Sequence, residues 1–180
     1  MRRLFVAVWP PEEVLDQVAA LPRPAVEGLR WTARDQWHVT LRFLGPVPEV
    51  EPVAHALAAL PPLEPSSALL GPATGRFDQR ILHVPVRGLD RVATAVVDAT
   101  ASLGTPPDDR PFHGHLTLAR VAKRAKVDLR PLAGAGIEAR WPADVVCLVE
   151  SRLSPKGARY DVLERFRLTP PPPAADTGAG

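Results

Sequence analysis

Two short phrases, WHVTL at 37–41 and GHLTL at 114–118, constrain this chain more than any other feature. Each places a histidine two residues before a threonine in a stretch rich in strand-forming residues. Residues i and i+2 of a strand share a face. His38 therefore sits with Thr40 and His115 with Thr117, while Val39, Leu41, Leu116 and Leu118 turn the other way into a core. The two histidines lie 77 residues apart, and sliding the chain on itself by that offset aligns more than the motifs. Strand 4–9 falls on 81–86, helix 11–21 on 89–103, and SSALLGPATGRF on DVVCLVESRLS. Both halves read strand, helix, H-x-T strand, helical segment, strand, a repeat of pattern with few shared residues.

The spacing of apolar residues predicts strands at 3–9, 37–41, 67–71, 80–86, 114–119, 144–150 and 158–168. Helices are expected at 11–21, behind prolines and acidic residues, at 49–60, and at 89–103, with Gly104 as the stop. A short helical segment is expected near 127–133. The strands at 144–150 and 158–168, joined by SRLSPKG, read as a hairpin, which favours antiparallel pairing. The predicted fold is α+β and bilobal, with a pseudo-twofold repeat at about 3–77 and 80–154. Each lobe is a mostly antiparallel sheet backed by helices, and the cleft between the lobes is where two copies of one motif meet. Residues 1–168 are expected to form one domain, and TPPPPAADTGAG at 169–180 a disordered tail without apolar side chains to bury.

Composition narrows the function. Twenty-two basic residues against 20 acidic leave a net charge of +2, too little to hold long nucleic acid by charge alone. A small anion held by one or two arginines stays possible. The single cysteine, Cys147, lies in the apolar run DVVCLVE and reads as core rather than nucleophile. No apolar stretch approaches the roughly 20 residues of a membrane span. The N-terminal apolar run stops at Pro10, too short for a signal core, so it reads as the first strand of a cytoplasmic protein. Nothing in the charge or the tail asks for more than a monomer.

Two imidazoles facing across a cleft suit hydrolysis of a phosphate ester. One, neutral, takes a proton from water; the other, protonated, gives one to the leaving oxygen. The hydroxyls of Thr40 and Thr117 can donate to nonbridging oxygens, and Arg120 can neutralise the charge that builds there. His113 and His115 could instead supply two metal ligands with His38 as a third, but no acidic ligand lies close by, and the reading is without metal or other cofactor. His55, His83 and His113 lack a threonine partner and read as structural or surface residues.

With these paired motifs the chain resembles the 2H phosphoesterase superfamily. WHVTLRFLG and FHGHLTLAR are similar to the bacterial RNA 2′,3′-cyclic phosphodiesterases, also called 2′-5′ RNA ligases, and the likeness runs over about 1–168 to the closing SRLSPKGARYDVLERFRL. The resemblance implies hydrolysis of a terminal 2′,3′-cyclic phosphate, on RNA 3′ ends or small cyclic nucleotides, to a 2′-phosphomonoester, with ligation as the reverse reaction. It makes His38 the proton donor, His115 the proton acceptor, Thr40, Thr117 and Arg120 the phosphate ligands, and Phe43 the ring that stacks on the terminal base. Tyr160 and Lys156 are weaker candidates from the closing hairpin. Gly114 stands where that branch commonly has proline, which loosens the strand entry and leaves the chemistry alone. The alternative is a module that binds an RNA-end phosphate without turning it over.

Overall fold

The first element, β1 (Arg2–Val8), is buried on both faces. Leu4, Val6 and Val8 enter the main core, and Phe5 and Ala7 a second, smaller cluster on the opposite face. A strand covered on both sides must be central, and β1 is flanked by β3 (Val39–Val47) and β9 (Val145–Ser154). The computed structural model describes residues 1–154 and 157–172. These form a ten-stranded antiparallel sheet whose main path runs β10, β9, β1, β3, β7, β6, β4, β8. Its remaining members are β4 (Ser67–Leu70), β6 (Ile81–Arg87), β7 (His115–Val121), β8 (Ala139–Pro142) and β10 (Gly157–Arg167). The short β2 (Leu29–Trp31) adds to β7, and β5 (Gly75–Phe77) to β6.

Three helices cover one face: α1 (Glu12–Ala19), α2 (Glu51–Ala58) and α3 (Asp90–Ala99). Each buries one stripe, Val14, Leu15 and Val18, then Val53 and Leu57, then Val92, Ala93 and Val96, against Leu41, Leu82, Val84, Leu116 and Leu148 of the sheet. The fold is α+β, as the sequence predicts. Among the described residues no helix is long and apolar enough to cross a membrane.

The two strands that carry the H-x-T motifs, one from each half, meet at a single β3–β7 pair, Val39 opposite Leu116, and β2 of the first half pairs with β7 farther along. The outer strands then cross over: β4, from the first half, pairs with β6 of the second, while its counterpart β9 pairs with β1 of the first. Each side of the sheet therefore borrows a strand from the other half.

Several expected boundaries move for local reasons. α3 ends at Ala99 rather than 103, because the Thr100 hydroxyl donates back to the Val96 carbonyl and the next residues close as turns. The expected helix at 127–133 is one 3₁₀ turn at Arg130–Leu132, with Pro131 inside it and Asp128 held by the Arg130 side chain. β3 runs on to Val47 through Gly45 and Pro46; β7 has already parted from it, so Pro46 interrupts no ladder on that edge. Lys156 and residues 173–180 of the expected tail lie outside the described residues, while the Thr169 carbonyl accepts the Leu63 N–H.

Candidate active site

The junction of the halves builds the site. With Val39 opposite Leu116, antiparallel pairing sets His38 across from Thr117 and Thr40 across from His115 on the face away from the helices. Strict alternation would then send Arg120 to the helix side with Leu116 and Leu118. It does not, because Leu118 is an extra residue: Ala119 pairs with Leu82 and Thr117 with His83. A bulge of this kind rephases a strand, and the burial follows it, with Leu118 and Ala119 buried, Arg120 exposed and Val121 buried. β3 carries the same device at the equivalent position. Leu41 is the extra residue between Thr40, opposite Ala7, and Arg42, opposite Val6, and the next outward side chain is Phe43. Phe43 and Arg120 are thus counterparts, each three residues after its threonine.

All six residues singled out from the sequence line one cavity of about 260 Å³: His38, Thr40, Phe43, His115, Thr117 and Arg120. Phe43 is 43% exposed, so it is not core packing, and the Arg3 guanidinium lies 4.9 Å above its ring. Among the described residues, no hydrogen bond or ion pair engages the hydroxyls of Thr40 and Thr117 or the Arg120 guanidinium, so all are available to a ligand. Thr32, by contrast, is committed: its hydroxyl reaches the Thr117 and Leu118 carbonyls and accepts the Trp37 indole N–H.

The histidines differ in their surroundings. His115 Nδ1 is 2.8 Å from the His113 carbonyl. A carbonyl only accepts, so Nδ1 carries the proton and Nε2 is left to the cavity. His38 stands in an aromatic box, with Phe5 and Trp9 each 4.9 Å away and Tyr160 edge-on at 5.0 Å. Burial pushes its pKa down to about 4; the Gln36 carbonyl opposes this, although Nδ1 has no well-formed hydrogen bond, and the charges of Arg120 and His115 add to the fall. Burial also lowers His115, partly offset by its bond to His113, with Arg120 again acting against the charged form. Arg120 therefore bears on both imidazoles. In the free site both favour the neutral form at neutral pH.

Beside Thr32, the residues Arg3, Phe5, Gln36, Ser151 and Tyr160 complete the lining. Of these only Tyr160 was legible beforehand: Arg3, Phe5 and Ser151 arrive through pairings of β1 and β9 that no local pattern encodes, and Gln36 from the 3₁₀ turn at Arg34–Gln36 before β3. His83 is buried against Phe77, rings 3.9 Å apart and nearly parallel, and meets His115 edge-on at 5.7 Å. It backs the site without lining it. His113 lines a neighbouring cavity, away from His38, so the histidines that could have formed a metal site do not converge, and among the described residues no three His, Cys, Asp or Glu side chains gather as such a site requires. Cys147 is buried.

Comparison with known proteins returns one consistent result. Residues 8–68 and 84–160 match the family model described as LigT like phosphoesterase. A Thermus thermophilus protein named RNA 2′,3′-cyclic phosphodiesterase is 35% identical over 92% of this chain and 90% of its own. One of the same name from Escherichia coli is 31% identical over 93% and 97%. Among solved structures, one from Thermus thermophilus superposes with a TM-score of 0.74 at 33% identity, over 93% of this chain and 98% of that one. A structure of Escherichia coli LigT complexed with 3′-AMP gives 0.72 at 28% identity, with the same coverage.

Proposed function

The chain belongs to the LigT-like phosphoesterase family, and on that premise we propose that it hydrolyses 2′,3′-cyclic phosphate ends, on RNA or on small cyclic nucleotides, to 2′-phosphomonoesters. The observation that carries the reading is the convergence of His38, His115, Thr40, Thr117 and Arg120 on one small cavity. Relatives that span nearly the whole chain bear the name of this activity. That a homologous structure holds 3′-AMP fits a site for a nucleotide phosphate.

The chemistry follows from the groups present. The cyclic phosphate sits with its nonbridging oxygens on the Thr40 and Thr117 hydroxyls and the Arg120 guanidinium, which are preorganised for charge that grows at phosphorus. His115 Nε2 takes a proton from water as the water oxygen bonds to phosphorus. The P–O3′ bond breaks, and His38 gives its proton to O3′. The products are a 3′-hydroxyl and a 2′-phosphomonoester. Since the empty site favours neutral imidazoles, the negative charge of the bound phosphate is what brings the acid's proton in. Phe43, exposed at the rim, stacks on the terminal base. No step calls for a metal, and we read the protein as a cytoplasmic monomer, with ligation a minor reverse reaction in dilute water.

The direct test replaces each histidine. His38→Ala and His115→Ala should each lower kcat at least about 100-fold, with unchanged circular dichroism and with wild-type turnover insensitive to EDTA. A variant that keeps most of its turnover would remove that histidine from the mechanism.

A further inference from the structure

Beside the catalytic cavity lies a larger one of about 900 Å³, and the two share Phe43 and His115. Its size is that of a site for a sizeable organic ligand. Phe77 and Phe112 offer aromatic surface along it, and the Asp108 carboxylate at its rim is already bound by Arg110. Among its lining residues is a buried arginine with no carboxylate partner among the described residues. Arg42 is 6% exposed, on the helix side of β3, where the repeat places Ala119 in the other half. Its terminal nitrogens donate to the carbonyls of Phe43 and Thr105, its Nε has no partner, and among the described residues no carboxylate lies within ion-pair distance. Two of its five N–H groups are thus used by backbone, and the charge itself is unanswered. A buried cation without a counterion is costly unless a ligand supplies one.

A 2′,3′-cyclic end has both ribose hydroxyls closed, so an RNA can continue from it only through O5′, as a singly charged phosphodiester. We propose that the second cavity is the subsite for the penultimate nucleotide of an RNA whose cyclic end lies in the catalytic cavity, with Arg42 as the countercharge to the linking phosphodiester. The base of that nucleotide packs among Phe77 and Phe112, on the far side of Phe43 from the reacting phosphate. This rests on the hydrolase reading above and adds a substrate class to it: the preferred substrate is an oligonucleotide end, and a mononucleotide fills only half of the site.

The test compares kcat/KM for three substrates: a nucleoside 2′,3′-cyclic phosphate, a dinucleotide ending in the same group, and that dinucleotide with an uncharged methylphosphonate link. In the wild type the charged dinucleotide should exceed both others by about tenfold or more. Arg42→Met should bring the charged and uncharged dinucleotides to parity, while Arg42→Lys keeps most of the difference; a purely structural arginine would lower all three substrates together. Thr94→Trp, at an exposed position of α3 that lines the cavity, should cut the dinucleotide-to-mononucleotide ratio toward one and does not depend on Arg42 variants folding. Equal kcat/KM for the three substrates in the wild type, or a charge preference that survives Arg42→Met, would overturn the proposal while leaving the hydrolase reading intact. No turnover of any of them would overturn that reading as well.

Discussion

His38 is the residue whose surroundings matter most. Phe5, Trp9 and Tyr160 exclude water from its ring and hold its pKa near 4 in the empty site. In the mechanism we propose, an acid so hard to protonate works only when an anion is bound beside it, which ties proton delivery to substrate binding. Two consequences are measurable. The pH profile of kcat/KM reports the free enzyme, and because both histidines are lowered, its bell should centre below pH 6.5. Opening the box by Trp9→Ala removes desolvation, which penalises the charged imidazole; the His38 titration followed by NMR should move up by about a unit. A midpoint unmoved by that change would mean the rings do not set the pKa. At this scale much was legible in the sequence, since a histidine and a threonine two apart must share a face. The placement of Phe43 and Arg120 was not legible from alternation, because it depends on the extra residues Leu41 and Leu118. A bulge is a property of the pairing, and one strand read alone does not show it.

Among the elements, the β5–β6 hairpin carries the clearest expectation. His83 is buried against Phe77 and its pKa is pushed down to about 4, chiefly by burial and then by His115. Unfolded, it titrates near 6.5, so between those values the unfolded chain holds a proton that the folded one lacks. Stability should therefore fall as pH drops from 6.5 toward 4, by up to about 3 kcal/mol for this group. His83→Phe should flatten that stretch of the curve in urea unfolding, and an unchanged slope would contradict the assignment. Below pH 4.5 a separate loss sets in as Glu150, lowered to about 2 by Arg2 and Arg152, takes up its proton. The helices and longer strands were readable because their periodicity is local. β2, β5 and β8 were not, being three or four residues long and defined only by the strands they pair with.

For the molecule as a whole, the repeat of pattern announced two halves and a shared site, and the structure brings the two motif strands together at Val39 and Leu116, the residues that follow the two histidines. The exchange of β4 and β9 between the halves was beyond the sequence, since the order of strands in a sheet is decided by long-range packing. The two histidine strands, β3 and β7, are neighbours within that sheet, so His38 and His115 are positioned by one continuous sheet. The most direct test of the account is the identity of the product. Incubated with a nucleoside 2′,3′-cyclic phosphate and followed by phosphorus NMR, the protein should yield the 2′-monophosphate alone. The 3′-monophosphate as product, or tight binding with no product, would contradict it.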